Sequence, residues 1–328
     1  MAHNVETMAY SGETPWHGLG TKVPHDLSTQ DMLREAKLDW EVKKYETTVG
    51  DYEKDMYEKT GSYALVRDYS KYAKEGESKY NVLAPSVGKG WCPVQNHQAL
   101  DFFQDYVLKG DMEMHTAGSL NGGKIVWALA KVKCSFNVWK DKDKVEAYML
   151  FTNPHMHGKC IDIRLTPIRV VCNNTLTWAL ESKSSNSIRI NHRKPFDASV
   201  VQEHMGMVNN AMSDYHDLAQ YLSKTKYTTE ALVSYLNEVY PSKRLGVEKS
   251  YLSKKPVTDN AKQCFDLVET SPGSEYFGGT WWNVLNAVTY NTDHCQGKTR
   301  DGRLTSAWYG RNADVKARAV KLIKDYVY

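Results

Sequence analysis

The chain has 328 residues, enough to bury a large core in one extended domain or in two. Its 41% hydrophobic and 25% charged residues are ordinary for a soluble globular protein and exclude a disordered or fibrous one. With 42 basic and 39 acidic residues the net charge is +3, which excludes a polycation, so any nucleic-acid argument rests on local clusters. The aromatic fraction, 11%, is carried by 21 Tyr against 7 Phe, and a side chain with one polar end suits wet surfaces as well as cores. Six cysteines (Cys92, Cys134, Cys160, Cys172, Cys264, Cys295) are scattered without CxxC pairs. There is no leader pattern, and no apolar run approaches the ~20 residues of a membrane helix. A reduced cytoplasmic setting with free thiols and no membrane partner is expected.

Residues 1–24 read as an irregular arm, because Pro15-Trp16-His17-Gly18-Leu19-Gly20 holds too many breakers for a regular element. Residues 25–195 read as an α+β sheet core. Ser28 caps a helix through roughly Lys37, with Asp31 near its N-terminus. Trp40 to Val49 alternates like a strand, and Ser62 to Arg67 forms another, followed by a polar loop from Tyr69 to Lys79. Asn96 to Lys109 is a helix with Asn96 as cap and Leu100, Phe103, Val107 and Leu108 on its apolar face. Met112 to Cys134 is a hairpin turning at Asn121-Gly122, and its second arm, Ile125 to Val132, is apolar enough for a central strand.

From Val145 two strand patterns flank the turn Asn153-Pro154-His155-Met156-His157-Gly158. In the second, Ile161, Ile163 and Leu165 point one way and Asp162, Arg164 and Thr166 the other, which places Arg164 on the face opposite the core. Asn173-Asn174-Thr175 offers N-cap chemistry to a short helix, Leu176 to Glu181, before a last strand at Ile188-Arg189-Ile190. Residues 196–328 read as mainly helical. Asp197 to Ser223 carries apolar residues at Val201, Met205, Val208, Met212, Tyr215, Ala219 and Leu222, one helical face. Further helices are expected over Thr228–Val239, Asn260–Thr270, Trp281–Thr292 and Ala313–Tyr326, with a basic loop over Tyr240–Asp259. The fold class is α+β: an antiparallel sheet core with inserted helices and a helical C-terminal part.

The run TPIRVVCNNTL, Thr166 to Leu176, resembles the signature of a family of phage- and plasmid-borne proteins known as a domain of unknown function. The opening MAHNVETMAYSGETPWHGLG and the C-terminal GTWWNVLNAVTYNTDH and LTSAWYG resemble the same family, so the similarity spans nearly the whole chain. The family's acidic His-Asp-Gly-Ser-type turn is replaced here by His155-Met156-His157-Gly158-Lys159. The resemblance implies a virus or mobile element as setting, in a host bacterial cytoplasm, and no activity.

Four chemistries are open. His155 and His157, two apart and therefore on one face of an extended strand, could hold a metal with His294, although the spacing matches no established zinc pattern; exposed turn histidines are the structural alternative. Cys172 before a helix, with His192 as base, could be a nucleophile, or Cys172 could be an inert buried thiol. No GxxxxGK[ST] and no strand-linked GxGxxG is present, so no nucleotide cofactor is implied. Finally, Lys159 to Lys194 holds seven basic and two acidic residues, and Lys298 to Tyr328 eight and three, both beside tryptophan. Cations neutralise phosphates and aromatic faces stack bases, which points to Arg164, Arg169, Arg189, His192, Arg193, Lys194, Arg303 and Arg311 as nucleic-acid contacts.

The expectation is a non-enzymatic, homo-oligomeric DNA-binding protein of a bacteriophage or plasmid, acting on single-stranded DNA in recombination, annealing or replication. The element order from Met112 to Leu180 is similar in outline to phage single-strand annealing proteins, a likeness of fold alone. The alternatives are a metal-dependent hydrolase or nuclease, and an interaction protein such as an inhibitor of host defence.

Overall fold

The computed structural model describes residues 5–12, 20–51, 53–140, 142–169, 174–175, 187–197, 212–243, 250, 253–297, 306 and 310–327. It is a mixed α+β fold with a large, mainly antiparallel sheet, a smaller three-stranded sheet and a helical C-terminal part. The strands are β1 (Val5–Ser11), β2 (Thr21–Val23), β3 (Val42–Asp51), β4 (Met56–Asp68), β5 (Tyr80–Val87), β6 (Met112–Leu120), β7 (Ile125–Trp139), β8 (Asp143–Pro154), β9 (Ile161–Arg169), β10 (Asn174–Thr175) and β11 (Ser187–Ile190). The helices are α1 (Thr29–Glu35), α2 (Asn96–Leu108), α3 (residues 212–224), α4 (Thr229–Val239), α5 (Asp259–Leu267), α6 (Trp281–Tyr290) and α7 (Arg311–Val327). The large sheet runs β10-β9-β8-β7-β6-β1-β2, with β11 also on β9, and the small one runs β3-β4-β5.

Chain packing divides the molecule into two units. The first comprises Met1–Lys133, Met149–Arg164 and Ser187–His204. Its sheet grows from the hairpin expected at Asn121-Gly122, where Asn121, Gly122 and Gly123 all have positive φ and let β6 fold back on β7. Val126 to Ala130 are buried, as a central strand requires. The N-terminal stretch departs from the expected irregular arm: β1 pairs antiparallel with β6, and β2 pairs parallel with β1. The alternation over Val5 to Ser11 is masked in sequence by polar residues that have partners here, such as Thr7 on Ser119 and Ser11 on the Met114 carbonyl.

Two helices cover the core of this unit. Ser28 caps α1 by accepting from the Asp31 N–H, as expected. For α2 the cap is Gln95 rather than Asn96: Gln95 and Gln98 form a capping box, and Asn96 is the first helical residue. Freed from capping, Asn96 turns inward and its amide donates to the Leu38 carbonyl at 2.8 Å. Phe103 of α2 meets Phe151 of β8 edge to face at 6.3 Å.

β9 corrects the simple alternation. Ile161, Ile163 and Leu165 are buried, but so are Asp162 and Thr166, and Arg164 is only 13% exposed. The strand is covered on both faces, so Arg164 does not present an open sheet face. Asn174–Thr175 form β10, while the helix expected over Leu176 to Glu181 lies outside the described residues.

The second unit comprises Cys134–Tyr148, Leu165–Asn186 and Met205–Tyr328. The described part of the Met-rich helix, residues 212–224, buries Met212, Tyr215, Ala219 and Leu222, the face read from sequence. α6 is buried at every position from Trp281 to Thr289, which makes it the central helix here. The expected helix end at Thr292 is replaced by a π-turn over Asn291–Cys295. Tyr235 of α4 donates to the Ala319 carbonyl of α7 at 3.0 Å, and Trp282 donates to Asp143 at 3.0 Å.

Candidate nucleic-acid interface

The most elaborated polar cluster among the described residues lies in the first unit. Its floor is an ion pair. Arg67 on β4, 2% exposed, holds Glu6 of β1 with both guanidinium nitrogens, one at 2.7 Å. Ser119 adds a hydrogen bond to Glu6 at 2.9 Å. Arg67 also lies 4.0 Å from the Tyr69 ring centroid and 5.1 Å from that of Trp40. Gly123 leaves room for it: a Cβ there would collide with the guanidinium.

Trp40 leads to His155, whose ring is 5.7 Å away and fully buried. His155 Nε2 lies 3.4 Å from Asn96 Oδ1, and the His155 N–H donates to the Lys124 carbonyl at 2.8 Å. Burial drives its pKa down to about 3, helped by the positive fields of His192 and Arg67, so the ring is neutral at any physiological pH. Beside it Asn153 donates to the Val94 carbonyl at 2.8 Å. Gly158, at positive φ, then turns the chain into β9, leaving His157 exposed.

The cluster continues to His192, which is itself buried against the half-buried Trp91. Its ring stacks on Trp91, centroids 4.3 Å apart and planes 13° off parallel. The Cys92 N–H donates to the His192 carbonyl at 2.6 Å, and His192 Nδ1 lies 3.3 Å from the Cys92 carbonyl. Burial lowers the His192 pKa against the opposing pull of the Cys92 and Pro154 carbonyls. The Trp91 loop is pinned from its other side by Lys44, which donates to the carbonyls of Lys89 at 2.6 Å and Trp91 at 3.0 Å. The Lys44 ammonium also sits 4.7 Å over the Tyr63 ring. Around this junction Lys89, Arg189, Arg193 and Lys194 are exposed.

The residues singled out by sequence divide sharply. Arg189 is 71% exposed and only loosely tied to Asp162 at 3.4 Å. Arg193 and Lys194 are exposed beside it in sequence. Arg164 is committed instead to Asp162 through two nitrogens, at 2.6 and 2.7 Å. His192 is 2% exposed, so it positions the loop rather than facing a ligand. Arg311 is exposed at the start of α7 in the second unit. Arg303 and Cys172 lie outside the described residues, as does the side chain of Arg169. His155 is buried and His157 exposed, while His294 belongs to the second unit, where it packs on Tyr290 at 4.7 Å. Among the described residues no group of three or more His, Cys, Asp or Glu side chains is placed to hold a metal ion. No helix among the described residues is long and apolar enough to cross a membrane.

Sequence reasoning missed Lys44, Lys89 and Trp91. The available signal was Gly88-Lys89-Gly90-Trp91-Cys92-Pro93, where a cation and an aromatic ring alternate with turn residues in a short loop. It missed Arg67 and Glu6 as well, because nothing local marks a pair 61 residues apart.

No curated protein and no solved structure matches the chain. A family model does match, over residues 84–320, which is most of the sequence and includes Trp91, His155 and His192. The chain therefore belongs to the family described as Domain of unknown function (DUF932).

Proposed function

We propose that the protein binds single-stranded DNA non-enzymatically, in the recombination, annealing or replication of a phage or plasmid. The observation that carries this reading is the rim of cations, Lys89, Arg189, Arg193 and Lys194, around the Trp91–His192 stack. Arginine and lysine at a fixed loop junction neutralise phosphates, and the half-buried indole of Trp91 offers an aromatic edge to a base. The buried ion pair and neutral histidine beneath make the junction rigid, so little ordering is left to be done on binding. The mobile-element setting rests on the resemblance of the terminal signatures.

The test is a salt titration of binding to single- and double-stranded DNA. Replacing Arg193 and Lys194 by Ala removes two candidate phosphate contacts. The slope of log affinity against log salt falls by about 1.4 on single strands, at ~0.7 per contact. Binding that is absent in wild type at low salt, or a slope unchanged in the double variant, overturns the reading.

A further inference from the structure

The small sheet carries a surface the proposed DNA site does not use. Five exposed large apolar residues lie on it: Tyr45, Val49, Met56, Tyr80 and Val82, from 49% exposed for Tyr45 to 64% for Val49. Strand pairing places them on one face. Val66 of β4 is opposite Lys43 and Val82, Asp68 is opposite Tyr80, and Val49 and Asp51 are opposite Glu58 and Met56. Beyond Tyr45 the β3–β4 hairpin is exposed along almost its whole length.

β3 is also an edge strand, with β4 as its strand neighbour. Gln95 takes both backbone groups of Val42, donating to its carbonyl and accepting from its N–H, each at 2.9 Å. The outward-pointing positions are therefore Val42 and, by the two-residue repeat, Lys44 and Glu46; beyond the register shift between Glu46 and Thr48 the Asp51 carbonyl accepts from the Lys54 N–H inside the hairpin, so Gly50 and Thr48 point outward as well. Gln95 covers the first. Among the described residues the others leave a run of backbone groups open to pairing, the edge that sheet proteins ordinarily guard.

The sequence of this edge is complementary to itself. On the apolar face β3 reads Lys43, Tyr45, Thr47, Val49, Asp51: positive at one end, apolar or neutral between, negative at the other. A two-fold axis at Thr47 sets two copies antiparallel. Lys43 then faces Asp51 of the second copy, Tyr45 faces Val49, and Thr47 faces itself. The outward residues fall in register too, Glu46 opposite Thr48 and Lys44 opposite Gly50. Moving the axis to Glu46 would lose the Lys–Asp pairs and set two carboxylates, each already paired with its own Lys59, opposite one another, so the Lys–Asp pairs select the Thr47 register.

We propose that β3 is a dimerisation edge, pairing antiparallel with β3 of a second copy about Thr47 to join two three-stranded sheets into one of six. This is an isologous contact, in which one patch serves both partners.

The test is sedimentation equilibrium on the full chain. Wild type sediments as a dimer. Lys43→Asp and Asp51→Lys each place like charges opposite one another twice, and each gives a monomer. The double reversal K43D/D51K restores opposite charges and the dimer. Thr48→Pro removes an outward-facing N–H and also gives a monomer, with melting and circular dichroism confirming that each variant is folded. Thr47→Cys fixes the register: residues opposite at such a non-hydrogen-bonded pair have Cα atoms about 4.5 Å apart, within disulfide reach. It forms a covalent dimer under mild oxidation that wild type does not, while Glu46→Cys does not cross-link. A monomeric wild type, a dimer that survives both single reversals and Thr48→Pro, or cross-linking through position 46 instead of 47 overturns the proposal.

Discussion

His192 lies face to face with Trp91 at 4.3 Å, joining two loops that are about a hundred residues apart in sequence. The stack and the Cys92–His192 backbone bond join the loop that carries Lys89 to the one that carries Arg193 and Lys194. Trp91→Ala removes one face of the stack. We expect a loss of roughly 2 kcal/mol in urea unfolding, below the 3–5 kcal/mol of a fully buried aromatic truncation because Trp91 is half-buried. DNA affinity should fall with it. Trp91→Phe keeps a ring and should retain most of both; equal losses in the two variants would mean the stack does not position the rim.

The buried histidines make stability depend on pH in one direction. His155 has a folded pKa of about 3, well below its ordinary 6.5, and His192 is shifted the same way. The unfolded chain therefore binds protons that the folded chain refuses. The His155 contribution is complete above about pH 6.5 and is lost as pH falls through the window down to about 3, and His192 acts in the same direction. His155 adds about 1.4 kcal/mol per pH unit to the slope within that window. His155→Gln should flatten the unfolding free energy below pH 6 by about one proton's worth. An unchanged slope would show that His155 takes up its proton in the folded state.

Arg67 and Glu6 form the ion pair under this site; Glu6 is 21% exposed and Arg67 2%, so removing Glu6 strands the buried guanidinium. Glu6→Ala should cost about 3–5 kcal/mol by chemical denaturation. Gly123→Ala probes the same arginine through its packing. The new methyl meets the guanidinium, and φ is +83°, so both clash and backbone strain act. A drop of at least ~1 kcal/mol is expected, and a Gly123→Ala chain as stable as wild type would mean Arg67 has room to move.

Much of the fold was legible because it was written locally. The Asn121-Gly122 turn, the Ser28 cap and the Met212-Tyr215-Ala219-Leu222 face each depend on residues a few positions apart. What escaped was non-local. β1 looked irregular because its pairing partner, β6, lies a hundred residues further on and supplies the bonds its polar side chains need. Arg164 looked like a surface cation because alternation assigns faces but not coverage, and β9 is buried on both. His192 was expected to face a ligand, and it is buried instead. Its neighbour Trp91 could not be known without the fold.

The second unit has its own buried ion pair, and its energetics can be separated cleanly. Lys316 of α7 is fully buried and donates to Asp293 in the π-turn at 2.7 Å, with Asp293 only 6% exposed. Nearby Asn312 donates to the Thr292 carbonyl at 2.6 Å, so the turn is fastened to α7 at two points. Asp293→Asn takes its carboxylate partner from the buried Lys316 ammonium, and Lys316→Met takes its cation from the Asp293 carboxylate. Each should cost about 3–5 kcal/mol. Removing both leaves no stranded charge, so the double variant should lose clearly less than the sum, with a coupling of roughly 2 kcal/mol. Because the pair is shielded from solvent, the loss should be nearly the same at low and high salt, unlike that of an exposed pair such as Lys262–Asp259. Urea unfolding of the four proteins at two salt concentrations reads all of this. Additive losses, or a penalty that shrinks with salt, would mean that water reaches Asp293 and that the ion pair does not hold the turn to α7.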